Sequence, residues 1–493
     1  MTKVAAVIMA ATSADAERDA RLALQQGADL VEFRFDHLQD FSRDTARKLA
    51  KAFGSRAIAT LRSRREGGDD SSAPSDRHRL LKDLCQLGFA YADVELETDE
   101  ENLESLRNLA ARHGTRVIVS QHLAQSAEPL DEVDSLDACA AAGDVAKVAL
   151  PVAEFETSVA LLDLLRSRKP RKPFVLIGMG DPGMVTRVLA EDAGQEIQYA
   201  AFGRAAAPGQ LPLRTALRLR GRVPMVLGLV GRPLGHSISP AIHEAALDAA
   251  DLPGVYLPFD VDSKSLRSLL DSAARLRVRG FNVTIPHKEA IVPELDELDG
   301  DAEQIEAVNT VVIGDGWTKG HNTDVYGFRI SLRSLGLRLG ERTALVIGAG
   351  GAAKAVVHVL VREGARVQVA NRSHRRAEAL ADAFDGAAEV VPMEDLYMEG
   401  PWDLLVNATP VGTKGGSDAL PVPEAVVAEA AFVYDLVYNP PQTPLLQAAK
   451  RLGKPGTSGL DMLLHQAAKS FELWTDRAAP FGAMVRAAKE ALG

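Results

Sequence analysis

Over the first 220 or so residues, short apolar and β-branched runs alternate with helix-length amphipathic segments. The runs span residues 4–10, 30–35, 57–62, 91–96, 116–122, 145–150, 174–179 and 198–203. Eight strand–helix units predict a closed parallel (β/α)8 barrel of the TIM type, with its active site at the C-terminal strand ends. An open doubly wound sheet is the alternative arrangement of the same pattern. Polar residues break the runs near their ends: Glu32, Arg34, Arg62, His122 and Lys147. Residues two apart on a strand share a face, so Glu32 and Arg34 point inward together. Singly, each of the five has a plain structural use in a salt bridge or a satisfied core. Together, at one barrel mouth, they favour chemistry. Lys147 lies in DVAKVAL, where apolar neighbours disfavour the charged amine and leave some of it free to attack a carbonyl. His122, one strand earlier, is placed to move a proton on the carbon beside the resulting iminium, and Glu66 in the following TLRSRREGG loop to orient it. Arg62 and Arg187 suit a carboxylate held by paired hydrogen bonds.

The pattern changes at LRLRGRVPMV, where Gly221 and Pro224 end the last barrel helix. GLVGRPLGHSISP (228–240) reads as a strand, a glycine turn and a Ser-Pro helix start. Its Ser237 and Ser239 either line a polar pocket or merely cap the helix. Lys288 follows a Pro and a His in the turn of NVTIPHK (282–288), and AVNT (307–310) and GHNTD (320–324) then supply Asn309 and Asp324. Asp324 can hold an ammonium close by, and the two can pass a proton to an alcohol or ketone oxygen. A surface ion pair is the plain alternative. TALVIGAGGAAKAVV (343–357) reads as strand, glycine-rich turn and helix, with Gly348, Gly350 and Ala353 in the G-x-G-x-x-A form and the pyrophosphate expected on the helix N-terminus. The next strand, RVQVA, ends at Asn371 and Arg372, about where NAD-binding sheets carry an acidic residue for the ribose. Arginine there, with Arg376 in the following helical turn, points to a 2′-phosphate and hence NADP.

Length and composition fit this division. A chain of 493 residues exceeds one ordinary core, so two or three domains are expected. Apolar runs stay short of the ~18 residues of a membrane span, and MTKVAAVIMA lacks the features of a secretory signal. Cys85 and Cys139 stand in no metal-like spacing, which supports neither a disulfide framework nor a zinc site and fits a reducing cytoplasm. The net charge of -11 argues against broad nucleic-acid or anionic-membrane binding, though not against small anions held by local arginines.

Residues 1–222 resemble a type I 3-dehydroquinate dehydratase through ADLVEFRFD (28–36), TLRSRREGG (60–68), SQH (120–122), DVAKVA (144–149) and APGQ (207–210). The resemblance implies that Lys147 forms an imine with the substrate ketone, that His122 abstracts and returns protons, and that Glu66 assists it. It assigns Glu32, Arg34, Arg62, Arg187 and Gln210 to substrate binding. Two positions depart from the family: Ala206 replaces a substrate-contacting serine, and Leu123 follows His122 where an acidic or amide residue is commoner. Loss of one such hydrogen bond is worth ~0.5–1.5 kcal/mol, which predicts weaker binding rather than lost catalysis.

Residues 223–493 resemble shikimate dehydrogenase through HSISP, NVTIPHK, AVNT, NTD, GAGGAA, NRSHRR, NATPVGT (407–413), YDLVYNPPQTPLL (434–446) and SGLDMLLHQ (458–466). This resemblance implies catalysis by Lys288 and Asp324, with Ser237, Ser239, Thr284, Asn309, Tyr438 and Gln466 around the substrate. The cofactor would be lined by Gly348, Ala349, Gly350, Gly351 and Ala352, by Asn371, Arg372, Ser373 and Arg376, and by Leu436, Gly459 and Met462. It also implies a substrate lobe of 223–325 plus 457–493 and a Rossmann NADP-binding lobe of 326–456.

Together the two resemblances imply a bifunctional lyase and oxidoreductase of the shikimate pathway. It would convert 3-dehydroquinate through 3-dehydroshikimate to shikimate with NADP(H) and no metal. The expected setting is cytoplasmic, without nucleic-acid or membrane partners, and a homodimer is admitted. Two alternatives stand beside this: a quinate dehydrogenase in the second half, which Ser237 with Ser239 disfavours, and a non-catalytic barrel, prompted by Ala206.

Overall fold

The computed structural model describes residues 1–123, 129–168, 172–235 and 237–493. The chain divides into two compact units: Met1–Val226 with Leu252–Phe259 and Arg275–Arg277, and Leu227–Asp251 with Asp260–Ala274 and Val278–Gly493.

Each of the eight expected runs forms a strand of the first unit: β1 (Lys3–Ile8), β2 (Leu30–Arg34), β3 (Ala57–Thr60), β4 (Tyr91–Glu95), β5 (Arg116–His122), β6 (Val145–Pro151), β7 (Phe174–Met179) and β8 (Ile197–Phe202). They pair in the order β7-β6-β5-β4-β3-β2-β1-β8, a nearly closed parallel barrel. At the seam between β7 and β8, Glu196 N donates to Phe174 O at 2.9 Å, and the Gln195 side chain accepts from Leu176 N at 2.9 Å. An amide side chain thus stands in for part of the missing ladder.

Alternation along each strand builds two cores. Ala146 and Val148 of β6 face the outer helices, while Val145 and Ala149 join Val7, Ile58, Ile118 and Tyr199 inside the barrel. Thr12, Ser42 and Asp99 start outer helices by accepting from the backbone N–H of Asp15, Thr45 and Asn102, which satisfies donors that the first helical turn leaves open. Arg62, expected to end the third strand, lies beyond β3. Asp70 N donates to Arg62 O at 3.1 Å and folds this stretch back on itself as a loop.

Two further sheets follow β8 in the chain among the described residues. The first is mixed and runs β10 (Gly254–Asp260), β9 (Met225–Gly231), β11 (Val278–Val283), β13 (Thr310–Ile313), β14 (Thr318–His321) and β12 (Glu297–Leu298). The second is parallel, with β17 (Ala388–Val390), β16 (Arg366–Ala370), β15 (Thr343–Ile347), β18 (Trp402–Asn407), β19 (Ala430–Asp435) and β20 (Gly456–Ser458) in that order. This is the doubly wound dinucleotide-binding order. Ala344 and Val346 of β15 pack into one buried cluster and Leu345 and Ile347 into another, as expected of a strand covered on both faces. The helices Leu460–Thr475 and Phe481–Leu492 follow the parallel sheet in sequence. The first returns to the mixed sheet, where Trp474 Nε1 donates to Val311 O at 2.9 Å. No helix among the described residues is long and apolar enough to cross a membrane.

Candidate active sites

The barrel strands deliver their polar residues to one cavity of about 480 Å³, lined by Glu32, Arg34, Arg62, Glu66, His122, Lys147, Arg187 and Gln210 among others. All eight residues expected there are brought together. Period-two alternation explains how: Ser120 and Lys147 are register partners across β5 and β6, and Lys147 points inward between outward-facing Ala146 and Val148.

Lys147 does not meet the apolar surroundings that its neighbours in sequence predict. Its Nζ donates to Asp93 Oδ2 at 2.9 Å, lies 3.8 Å from Glu32 Oε1 and sits 4.3 Å from the centroid of the Tyr199 ring. The apolar residues beside it in the chain face the other side of the sheet. Arg62 is also differently employed. Its Nη1 donates to Glu66 at 2.9 Å, Glu95 at 3.1 Å and Ser120 Oγ at 3.0 Å, and its Nη2 donates to Asp93 at 2.7 Å. Burial alone would push this guanidinium down, but Asp93, Glu95 and Glu66 hold it above its ordinary value.

His122 Nδ1 lies 2.9 Å from Glu66 Oε2. Burial, against the pull of Arg62, pushes the Glu66 carboxyl up to about 8. Burial followed by the charges of Arg62 and Lys147 pushes the imidazole well down. The pair therefore shares a single proton near neutrality. Arg34 is clamped by Asp36 through Nε at 3.0 Å and Nη2 at 2.7 Å. Arg187 differs from both other arginines: its buried Nε has no hydrogen-bond partner among the described residues, and burial lowers the guanidinium to about 10. Gln210 Oε1 accepts from the Ala206 N–H at 2.8 Å, so the backbone at the serine-to-alanine departure orients this side chain.

Sequence reasoning missed Asp93, Glu95, Ser120 and Tyr199. The signal for the first two was present in YADVEL, where two carboxylates alternate in an apolar strand just as Glu32 and Arg34 do.

In the second unit Lys288 Nζ donates to Asp324 Oδ2 at 2.5 Å. Asn309 Nδ2 donates to the other oxygen of Asp324 at 2.9 Å and to Gln466 Oε1 at 3.3 Å. The Asn309 carbonyl in turn accepts from Thr323 N at 2.7 Å, which fixes the amide's orientation. His287, just before the lysine, is buried. Its Nε2 pairs with Val261 O at 2.9 Å and its Nδ1 with Ser263 Oγ at 3.1 Å, so it anchors the turn rather than joining the Lys288–Asp324 pair. Ser237 Oγ accepts from Ser239 N at 3.2 Å, at the first residue of the helix Ser239–Ala249. Tyr438 is a further partner of Ser237; burial raises its phenol and that hydrogen bond pulls it back. Thr284 N donates to Val230 O at 2.8 Å. His236 of the HSISP motif lies outside the described residues.

The glycine turn fits a dinucleotide. Gly348 has φ +122° and a Cβ there would stand 3.0 Å from Ala408 O, so only glycine gives this backbone. The helix Gly351–Arg362 begins directly after it, with its first N–H groups free for a phosphate. A Cβ on Gly351 would stand 3.1 Å from Lys288 Cβ, which places the lysine beside the turn. Arg372 and Arg376 are exposed beyond β16, on either side of Ser373, the residue before the helix His374–Asp382. Asn371 Nδ2 donates to Ser373 O at 3.0 Å. Leu436, Gly459 and Met462 cluster: Gly459 approaches Leu436 so closely that a Cβ would lie 2.1 Å from its carbonyl oxygen, and Leu436 packs on the core containing Met462.

A barrel with a buried lysine beside a histidine–carboxylate pair, followed by a two-lobed nucleotide-binding unit with its own Lys–Asp pair, defines a chain that joins a lyase to an NADP-dependent oxidoreductase. The type I 3-dehydroquinase model matches residues 4–221. The shikimate dehydrogenase substrate binding domain matches 229–311, shikimate / quinate 5-dehydrogenase 330–411, and the shikimate 5'-dehydrogenase C-terminal domain 459–489. The chloroplastic bifunctional 3-dehydroquinate dehydratase/shikimate dehydrogenase of Arabidopsis thaliana is 33% identical over 485 residues, covering 92% of this chain and 79% of that one. The shikimate dehydrogenase (NADP(+)) of Archaeoglobus fulgidus is 42% identical over 271 residues, covering 54% of this chain and 99% of its own. The shikimate 5-dehydrogenase of Thermus thermophilus, solved in complex with NADP(H) and shikimate, is 40% identical with a TM-score of 0.50, covering 54% of this chain and 100% of that one. The chain belongs to the family of bifunctional 3-dehydroquinate dehydratase/shikimate dehydrogenases.

Proposed function

We propose that residues 1–222 dehydrate 3-dehydroquinate to 3-dehydroshikimate and that residues 223–493 reduce this product to shikimate. The observation that carries the reading is the convergence of Lys147, His122 and Glu66 on one cavity. Lys147 attacks the substrate ketone to form an imine, and the single proton of the His122–Glu66 pair is exchanged with the carbon beside it. With Arg34 and Arg62 both engaged by carboxylates, Arg187 is the buried cation left to receive the substrate carboxylate, and Gln210 lines the same pocket.

In the second half, 223–325 with 457–493 form the substrate lobe and 326–456 the NADP lobe. NADPH supplies the hydride when bound. Lys288 gives a proton to the oxygen of the reduced carbonyl, and Asp324, fixed by Asn309, holds the amine in place. Ser237, Ser239, Thr284, Tyr438 and Gln466 surround the substrate, while Arg372 and Arg376 hold the 2′-phosphate.

The test is to supply 3-dehydroquinate and NADPH to the purified chain and follow both products. 3-Dehydroshikimate should form without NADPH, and shikimate only with it. Lys147→Ala should abolish the first step and leave reduction of added 3-dehydroshikimate intact. Full dehydration by that variant would sink the imine mechanism.

A further inference from the structure

Asp93, on β4, is a buried carboxylate that none of these steps uses. Lys147 Nζ donates to its Oδ2 at 2.9 Å. Its Oδ1 accepts from Arg62 Nη2 at 2.7 Å and from Ser120 Oγ at 2.6 Å, so the group is anchored from β5 and from the loop after β3. Glu32, the other carboxylate near the amine, is more distant at 3.8 Å and accepts from the Thr60 hydroxyl at 2.8 Å. The Tyr199 ring lies 4.3 Å from the same nitrogen, within the range at which an aromatic face attracts a cation. The lysine nitrogen therefore has a fixed anion and a π face as its neighbours, both buried.

Imine formation conserves charge at this atom. An ammonium, R–NH3+, and a ketone, O=CR2, give an iminium, R–NH+=CR2, and water. The carbon–oxygen double bond breaks, a carbon–nitrogen double bond forms, and two protons of the ammonium leave on the oxygen. One positive charge sits at one nitrogen before and after, so a carboxylate placed for the first cation also serves the second. Resting on the reading of the barrel as an imine-forming dehydratase, we infer that Asp93 is the counter-ion of the Schiff base: it pairs with the Lys147 ammonium and then stabilises the iminium that replaces it, with the Tyr199 ring as a second support.

Asp93 is suited to remain charged throughout. Burial alone would raise its carboxyl, but Arg62 and Lys147 hold it well below the usual carboxylate range. Glu66, in the same cavity, is displaced the opposite way. Two carboxyl groups thus divide two tasks: Glu66 takes part in proton exchange and Asp93 holds charge. Arg62 connects them by donating to both, which gives this arginine a function other than contact with the substrate.

Cyanoborohydride reduces an iminium and spares the neutral imine, so covalent trapping of Lys147 as a function of pH reads the loss of the iminium proton. The full chain is incubated with 3-dehydroquinate and the adduct followed by mass. Asp93→Asn should move the alkaline limb of trapping down by roughly one to three pH units, the scale of losing an opposite charge at contact distance, and Asp93→Glu should restore part of the shift. A merely structural role for Asp93 would change the amount of adduct but not the position of the limb. A wild-type measurement covers the case in which Asp93→Asn does not fold. The limb in the protein must lie above that of the imine formed between the same ketone and Nα-acetyl-lysine in water. An unmoved limb in Asp93→Asn, or a wild-type limb no higher than the free imine, overturns the inference. Absence of any adduct at Lys147 in the wild type would overturn the dehydratase reading as well, which separates the two failures.

Discussion

Glu66 Oε2 lies 2.9 Å from His122 Nδ1 and also accepts from the His122 backbone N–H at 3.2 Å. One carboxylate oxygen thereby fixes both the ring and the main chain of the same residue, so the carboxylate stays in place beside the ring. Burial pushes the carboxyl up to about 8 and the imidazole well down. Between those limits the pair holds one proton, so it can both accept and return one. Above about 8 it has none to return. Dehydration should fall as pH rises through about 8. Glu66→Gln cannot titrate and should lose that limb while running ~10²-fold slower or worse. Survival of the limb in the variant would assign it to another group.

The dehydrogenase pair offers a kinetic distinction. Lys288→Ala should lower kcat for 3-dehydroshikimate reduction by ~10² or more, the usual scale for a positioned proton donor. If kcat held and only KM rose, Lys288 would bind substrate without giving up a proton. Because Asn309 holds the second oxygen of Asp324, Asn309→Ala should reproduce part of the kcat loss.

Cofactor choice rests on exposed side chains. Removing Arg372 and Arg376 together should raise KM for NADPH strongly and that for NADH little, since only the first carries a 2′-phosphate for them to hold. Equal effects on the two cofactors would show that these arginines serve the fold.

A buried carboxyl in the nucleotide lobe links stability to pH. Asp435 accepts from Asn407 Nδ2 at 2.8 Å, Val437 N at 3.1 Å and Thr443 Oγ1 at 2.6 Å, tying together two of the motifs noted in the sequence. Burial outweighs these donors and raises the group from 3.8 to about 6. A raised carboxyl costs nothing while both states are protonated. Its penalty grows as pH rises from about 4 to about 6, at ~1.4 kcal/mol per unit or ~3 kcal/mol in all. The stability of Asp435→Asn relative to wild type should therefore rise across that interval. Urea unfolding followed by tryptophan emission reads this unit alone, because Trp317, Trp402 and Trp474 all lie in the second half. A flat difference would remove Asp435 as the source.

The strands were legible because a pleated strand with one face toward helices and one toward the barrel interior leaves a repeat of two in the sequence. The glycine turn and Lys288 were legible because a backbone requirement and a motif coincide there. The surroundings of Lys147 were not: Ala146 and Val148 adjoin it in the chain, yet the pleat turns them away, and its real neighbours Asp93 and Tyr199 come from strands far off in sequence. Arg62 was placed in the right cavity, but its partners within the chain were not legible, since these carboxylates come from β4 and from a loop whose path no periodicity records. The short β12 and β14 also carried no readable repeat, being two and four residues long.

Arg187 carries a consequence for anyone assaying the barrel. Arg34, Arg62 and Lys147 are each balanced by carboxylates of the chain, whereas the buried Nε of Arg187 meets no acceptor among the described residues. Arg187 is thus a buried guanidinium of the mouth without a carboxylate partner among the described residues, flat and suited to planar anions. Formate, acetate and similar buffer ions compete with substrate for this one place, so apparent affinities will depend on the choice of buffer salt. An inhibitor built for this pocket gains most from a carboxylate at that point and loses it on esterification.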